Sequence, residues 1–201
     1  MKNYENLKAG KLYKVDKDLQ KKLSKCWQIL LKLNNTADNR EIIEICKDLF
    51  GSIGENSQVL PPFRCDYGSH IQIGTGTFIN FNVSMVDVGE IKIGNKVLIG
   101  PGTGLFTAIH PTDPEIRATG IESSKPIIIE DKVWIGGNVT ILPGITIGKG
   151  AIIGAGSVVT KNIPEMTIAA GNPAKVIRKI RDEDKKYWQG KYNEYLSDVG
   201  E

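Results

Sequence analysis

The sequence has only two histidines, three cysteines and no long apolar run, and each shortage disfavours a class of protein. No stretch approaches the roughly 18 apolar residues that a membrane span needs, and the first five residues are polar, unlike a secretion signal. Cys26, Cys46 and Cys65 are widely spaced and form no CxxC pair, so no disulfide framework is expected. We therefore expect a cytoplasmic protein with no membrane partner.

The sequence also lacks a large excess of charge of either sign. The 26 basic and 23 acidic residues leave a net charge of +3, which is too balanced to indicate a nucleic-acid partner. The basic excess gathers late in the chain, and such a patch would suit a small polyanionic ligand. It consists of Lys175, Arg178, Lys179 and Arg181.

Two helices are predicted between about residues 17 and 50. The first has an apolar stripe at helical spacing, formed by Leu19, Leu23, Trp27 and Leu30. Asp38, with Glu41 three residues later, is typical of a capping box at the start of the second helix. The second stripe consists of Ile42, Ile45, Cys46 and Leu49. Cys26 and Cys46 are accordingly predicted to pack in the core.

An aliphatic residue recurs every six positions through the rest of the chain. The unbroken series consists of Ile129, Ile135, Ile141, Ile147, Ile153 and Val159. The same six-residue spacing occurs earlier, at Ile73 and Ile79 and again at Ile93, Ile99 and Leu105, and a shift of two residues near Asp87 to Glu90 separates these two blocks. This period predicts an all-β solenoid of hexapeptide repeats, in which each repeat stacks its aliphatic side chain on those of neighbouring coils. We predict an N-terminal helical segment at 1–56, the β-helix at 57–172 and a C-terminal cap at 173–201.

One polar segment, the loop 107–126, interrupts the repeats. It contains three prolines, several charges and His110. Loops that leave a rigid scaffold often carry function, and imidazole is the usual general base near neutral pH, so His110 is the candidate catalytic residue. His70, next to Ile71 on a coil face, is predicted to be a solvated surface residue.

Several motifs together resemble the maltose and galactoside O-acetyltransferases, most closely the maltose type. They are the repeats, the His110-Pro111 loop and the segments 9–13 (AGKLY), 63–68 (FRCDYG), 133–137 (VWIGG) and 169–177 (AAGNPAKVI). The resemblance implies a left-handed parallel β-helix and a homotrimer with active sites between subunits. It also implies acetyl transfer from acetyl-CoA to a sugar hydroxyl, with no metal.

The resemblance also implies roles for individual residues. His110 corresponds to the family's catalytic histidine, and Gly137 to the position whose backbone N–H holds the oxyanion. Coenzyme A binding falls to Asn80, Trp134, Gly137, Ala155, Thr160, Lys161, Lys175 and Arg178. Acceptor binding falls to Asp66, Asn80 and Asp87. Lys14 and Val15 stand where the family commonly has an aspartate after Tyr13, so Asp16, the nearest carboxylate, is the remaining acceptor candidate.

Other interpretations compete with this one. A γ-type carbonic anhydrase would need three histidines for its zinc, and the chain has two. A transferase with an amine, serine or antibiotic acceptor stays open, although the AGKLY segment favours a sugar. A non-enzymatic trimeric β-helix scaffold also stays open. The individual residues also have non-catalytic interpretations: Asp66, Asn80 and Asp87 as corner residues, Trp134 as interface packing, and Lys175 and Arg178 as solvated charges.

Overall fold

The computed structural model describes residues 2–200; Met1 and Glu201, which belong to the predicted segments 1–56 and 173–201, lie outside the described residues. The N-terminal segment forms α1 (Lys2–Lys8), β1 (Tyr13–Lys14), α2 (Lys17–Leu33) and α3 (Asn39–Leu49). Nine strands follow: β2 (Ser52–Ile53), β3 (Gln58–Val59), β4 (Phe63–Cys65), β5 (Ile71–Ile73), β6 (Phe78–Ile79), β7 (Val83–Val86), β8 (Ile91–Ile93), β9 (Leu98–Ile99) and β10 (Gly104–Phe106). The loop 107–126 contributes β11 (Ala108–Ile109), α4 (Pro114–Ala118) and β12 (Ile121–Ser124). The chain continues through β13 (Ile127–Ile129), β14 (Trp134–Ile135), β15 (Thr140–Ile141), β16 (Thr146–Ile147), β17 (Ile152–Ile153), β18 (Val158–Val159), β19 (Thr167–Ala170), β20 (Lys175–Lys179) and α5 (Asp182–Val199).

The strands β2 to β19, apart from β11 and β12, form three parallel sheets that are the faces of a triangular coil. The first face holds β2, β5, β8, β13 and β16; the second holds β3, β6, β9, β14, β17 and β19; the third holds β4, β7, β10, β15 and β18. Every third strand pairs in parallel with the equivalent strand of the next coil, as in Ile79 with Ile99 and Ile99 with Ile135. The predicted parallel β-solenoid is therefore confirmed.

The core is the column of aliphatic side chains inside the coil. All six members of the unbroken series from Ile129 to Val159 are at most 1 % exposed. Burying one such side chain stabilises the fold by about 2 kcal/mol, but only when the neighbouring coils are present to cover it. A rigid prism results, and its corners hold whatever side chains the turns carry.

Helices α2 and α3 cover the first end of the coil. Both predicted helices are present, and Cys26 and Cys46 lie in the core as predicted. The stripe predicted for α2 is wrong at Trp27, which is 60 % exposed, because Cys26 faces the coil in its place. Asp38 caps α3 as predicted, but Glu41 accepts a hydrogen bond from the Thr36 hydroxyl rather than from the Asp38 backbone.

The two ends of the solenoid differ from the sequence-based boundaries in detail. The first coil strand, Ser52–Ile53, pairs with β5 and begins five residues before the boundary predicted at residue 57. At the other end β20 turns back antiparallel to β19, and α5 follows with no buried residue. In residues 2–200, no helix is both long and apolar enough to cross a membrane.

Candidate active site

The loop that carries His110 is a small ordered sheet. Strand β12 pairs antiparallel with β11 on one side and with β1, from the N-terminal segment, on the other. His110 directly follows β11, and the register places Tyr13 opposite Glu122. Residues more than a hundred positions apart in the chain thus meet beside the candidate base.

Hydrogen bonds also fix the backbone on the C-terminal side of His110. Asp113 caps α4 by accepting a hydrogen bond from the Ile116 N–H at 2.8 Å. The Arg117 guanidinium donates to the carbonyl oxygens of Pro111 at 2.9 Å and Thr112 at 3.2 Å. Because these contacts hold the residues on the C-terminal side of His110, its ring projects from an ordered backbone.

Glu122 is the close acidic neighbour of His110. Its Oε2 lies 3.7 Å from His110 Nε2, which is ion-pair distance, and its Oε1 accepts a 2.5 Å hydrogen bond from the Tyr13 hydroxyl. The Glu122 side chain is 15 % exposed, whereas that of His110 is 59 % exposed and open to a substrate. Burial and then the Glu122 hydrogen bond raise the pKa of Tyr13, so its phenol stays a donor. Sequence reasoning missed Glu122, because no spacing within the loop indicated which of its carboxylates would face the histidine.

Asp66 and Asp87 lie at what we call the third corner, where the third face turns into the first. Asp66 follows β4 and Asp87 follows β7 one coil later, and the loop 107–126 leaves the next coil at the same corner. Asp66 is half-buried, and burial followed by the charges of Asp87 and Glu122 raises its pKa to about 6. The loop 107–126 thus places His110 and Glu122 at the same corner of the coil as Asp66.

The structure places Asp87 inside the protein. It is fully buried, and its Oδ1 accepts hydrogen bonds from the backbone N–H groups of Asp66 at 2.8 Å and Tyr67 at 2.9 Å. Its Oδ2 is buried and has no partner among residues 2–200. The Asp87 carboxylate thus shapes the turn that carries Asp66.

The prediction that His70 is a solvated surface residue is wrong. Its ring is buried, its Nδ1 lies 2.7 Å from the carbonyl oxygen of Asp87, and the Tyr67 ring packs against it at 4.9 Å between centroids. Sequence reasoning could not anticipate that Tyr67 and Tyr4 of α1 would pack against it. His110 is consequently the exposed imidazole of the two.

A second group of predicted residues lies at the second corner, where the second face turns into the third. Asn80, Gly137 and Ala155 follow β6, β14 and β17; Gly137 and Ala155 lie on adjacent coils, with Gly156 N–H donating to the Gly137 carbonyl at 2.9 Å, and the coil of β9 separates them from Asn80. The Gly137 N–H donates to no acceptor in the part of the chain that the structure describes. A Cβ at Gly136 would lie 2.6 Å from Ala155 N, so the coils approach closely here. This corner offers a free amide beside a surface of small residues.

The remaining side chains of the second corner are accessible. Trp134 lies on the strand that enters the corner and is 53 % exposed. The Asn80 Oδ1 accepts a hydrogen bond from the Phe81 N–H at 2.8 Å. The NH₂ group of the Asn80 side chain is directed away from this contact.

The remaining residues predicted to bind coenzyme A lie near the end of the solenoid. Thr160 and Lys161 follow β18 at the third corner, and Lys175 begins β20; all three are exposed. Arg178 instead makes a two-pronged contact with Asp184, with both nitrogen–oxygen distances at 2.7 Å. The Arg178 hydrogen bond is the main cause that lowers the pKa of Asp184 to about 2.

Asp16 is occupied within the N-terminal segment. Its Oδ1 accepts from the backbone N–H groups of Asp18 at 3.1 Å and Leu19 at 3.0 Å, which caps α2, and its Oδ2 accepts from the Asn3 amide at 3.1 Å. These hydrogen bonds, that of Leu19 first, lower the pKa of Asp16. The structure gives this carboxylate a helix-capping role.

The chain is similar to known acetyltransferases. The family model described as the bacterial transferase hexapeptide (six repeats) matches residues 126–161, and that of the maltose acetyltransferase hexapeptide capping motif matches residues 7–54. A galactoside O-acetyltransferase of Lactococcus lactis is 40% identical over 95% of this chain and 95% of its own length.

Solved structures of acetyltransferases are also similar to this chain. The maltose O-acetyltransferase of Clostridium difficile 630 superposes with a TM-score of 0.89 at 43% identity, covering 90% of this chain and 98% of that one. A hexapeptide-repeat-containing acetyltransferase of Vibrio cholerae, crystallised with acetyl-CoA, gives a TM-score of 0.86 at 40% identity, covering 90% and 100%. The resemblance inferred from the motifs is thereby confirmed, and the chain belongs to the maltose and galactoside O-acetyltransferase family of hexapeptide-repeat enzymes.

Proposed function

We propose that this chain transfers an acetyl group from acetyl-CoA to a hydroxyl of a sugar or glycoside, with His110 as the general base. The observation that carries the proposal is the exposed His110 ring, held on an ordered loop with the Glu122 carboxylate 3.7 Å from its Nε2. Relatives whose names specify galactoside or maltose as the acceptor support the sugar. The neighbour crystallised with acetyl-CoA supports the donor.

The chemistry requires a proton to leave the hydroxyl as its oxygen attacks the thioester carbonyl. A hydroxyl is a weak nucleophile near neutral pH, so the His110 imidazole accepts that proton as the new carbon–oxygen bond forms. The Glu122 carboxylate stabilises the imidazolium that results. When the tetrahedral intermediate collapses, the carbon–sulfur bond breaks and the thiolate of coenzyme A takes the proton from His110.

The free Gly137 N–H is the group that we assign to the oxyanion. A backbone amide without a protein acceptor can donate to the negative oxygen of the tetrahedral intermediate without rearrangement. Ala155 and the neighbouring glycines leave room for the pantetheine arm beside it. Thr160, Lys161, Lys175 and Arg178 lie toward the phosphate end of the same cofactor, and Trp134 packs against either the cofactor or the sugar.

For the acceptor, we propose Asp66 and Asn80 as the hydroxyl-binding side chains. A carboxylate accepts and an amide donates hydrogen bonds, which together match neighbouring hydroxyls of a sugar. Asp87 acts through the turn that it holds under Asp66, and Asp16 acts through the N-terminal segment. This division of roles follows because Asp87 is fully buried and both oxygens of Asp16 already accept hydrogen bonds within the chain, whereas Asp66 is only half-buried.

We also propose that the enzyme is a homotrimer with active sites between subunits. His110 and Asp66 lie at the third corner and Gly137 at the second, so about four residues of strand, roughly 13 Å, separate the two groups in one chain. A second copy that docks its second corner against the third corner of the first would join them. The second face carries a ladder of apolar side chains that are not fully buried, and this ladder supports such docking; it consists of Phe78, Leu98, Trp134, Ile152 and Ile168.

Light scattering tests the homotrimer. It should give three times the 22.1 kDa of one chain, and a monomer would contradict the proposal.

A thiol-release assay tests the reaction. Acetyl-CoA is offered with a panel of sugars, amines and serine, using wild type, His110→Ala and, as a matched loop control, Thr112→Ala. Release with a sugar that is lost in His110→Ala and kept in Thr112→Ala is expected. Release only with amines would favour the alternative acceptor class, and no release with any acceptor would favour a non-enzymatic scaffold.

A further inference from the structure

Tyr13 reaches the active site from the N-terminal segment. It lies on β1, is almost completely buried, and its hydroxyl donates to Glu122 Oε1 at 2.5 Å across 109 positions of sequence. Burial, then the hydrogen bond and charge of Glu122, raise the pKa of Tyr13, so the phenol keeps its proton throughout the working pH range. Tyr13 is therefore a permanent donor to one oxygen of the carboxylate beside His110.

The second oxygen of that carboxylate is the one that faces the histidine. With Oε1 tied to Tyr13, Oε2 lies 3.7 Å from His110 Nε2. The Asp66 carboxylate is close enough for the charge of Glu122 to contribute to its raised pKa, which means that the two carboxylates repel each other when both are charged. Without the phenol, we expect this repulsion to turn the Glu122 carboxylate away from Asp66 and out of line with His110.

We propose that Tyr13 is a positioning residue of the active site, which holds the Glu122 carboxylate so that its free oxygen faces His110. The inference rests on the proposed function of His110 and deepens it. It makes the N-terminal segment part of the catalytic apparatus, because β1 supplies one strand of the sheet on which the histidine is mounted. Tyr13 itself acts only through Glu122.

A double-mutant cycle on kcat is the direct test. Tyr13→Phe removes the hydroxyl and keeps the buried ring, and Glu122→Gln removes the charge. Each single variant should lower kcat about tenfold, with the KM for acetyl-CoA nearly unchanged, since misplacement of a catalytic group affects the chemical step. The double variant should be no slower than Glu122→Gln alone, because Tyr13 has nothing left to position. Additive losses, or a Tyr13→Phe enzyme as fast as wild type, would overturn the proposal.

A matched control separates positioning from general damage to the segment. Tyr4 also lies in the N-terminal segment, but its ring stacks near His70 and makes no contact with Glu122 that the structure shows. Tyr4→Phe should leave kcat unchanged. An equal loss in Tyr4→Phe and Tyr13→Phe would attribute both to damage of the segment and would count against the proposed role.

A spectroscopic readout keeps the test independent of turnover. The chain has two histidines, so their ring Cε1–H signals can be assigned by comparison with His110→Ala. Tyr13→Phe and Glu122→Gln should both shift the His110 signal at a fixed pH. If no acceptor supports thiol release, the proposed function fails while this shift still decides the role of Tyr13. An unmoved His110 signal in both variants overturns the positioning role even where wild-type transfer is normal.

Discussion

Asp87 Oδ1 accepts a hydrogen bond from the backbone N–H of Asp66 at 2.8 Å, from one coil of the solenoid to the next. The same oxygen also accepts from the Tyr67 N–H at 2.9 Å, and the carboxylate is fully buried. A buried acid thus holds the turn that presents a second, more accessible acid to the active site.

Replacing Asp87 should destabilise the fold through lost hydrogen bonds. Asp87→Ala leaves two backbone N–H groups without an acceptor, which should lower the free energy of unfolding by about 2–3 kcal/mol in urea titrations. Asp87→Asn keeps an oxygen acceptor at the same place and should cost less. Equal losses in the two variants would contradict the hydrogen-bond explanation.

Replacing Asp66 should stabilise the fold at alkaline pH and weaken acceptor binding. The Asp66 pKa is raised from 3.8 to about 6, so the folded state holds its proton more tightly than the unfolded state, and stability contributed by this group falls as pH rises from about 4 to about 6. Asp66→Asn removes this penalty and should raise the free energy of unfolding at pH 8 by about 1 kcal/mol, after allowing for solvent screening. Below pH 4 the gain should vanish, and the acceptor KM should rise at pH 8. A gain that is the same at pH 4 and pH 8 would count against the ionisation of Asp66 as its source.

His110 should matter for the reaction and little for the fold. Loss of a general base costs about 10²–10⁴ in rate, so His110→Ala should lower kcat by that range. Because the ring is mostly exposed, the free energy of unfolding should stay within about 0.5 kcal/mol of wild type by thermal or urea unfolding. A strongly destabilised His110→Ala protein would show that the rate loss reflects damage to the loop.

The contact between Arg178 and Asp184 predicts that Asp184 competes with acetyl-CoA for the Arg178 guanidinium. A phosphate of the cofactor that binds the guanidinium competes with the Asp184 carboxylate for its charge and for two of its five N–H donors. Arg178→Ala should raise the KM for acetyl-CoA about three- to tenfold, as expected for one exposed charge-assisted contact, while Asp184→Asn should lower it. Unchanged KM values in both variants would assign the pair to the start of α5 alone. Measurements at low and high salt provide the control, because an ionic contact weakens as salt rises.

The six-residue period could be interpreted from the sequence because it is local and repeated. Each aliphatic of the series from Ile129 to Val159 lies inside the coil, as the period predicts, and the motifs at both ends of the chain were sufficient to identify the family. Helix α3 and its Asp38 cap were likewise predictable, since capping depends on neighbours in sequence. His110 stood out because the loop interrupts a regular pattern.

The tertiary structure alone decided the surroundings of that histidine. Glu122 and Tyr13 meet because β12 of the loop pairs with β1 of the N-terminal segment, and no periodicity encodes a pairing over such a distance. His70 became a buried residue, and Asp87 an internal acceptor, because Tyr67 and the N-terminal helices pack over that corner. Local pattern determines the repeating coil, since every repeat makes the same contacts with its neighbours. The placement of single side chains at its corners depends on packing between distant segments, which only the folded chain settles.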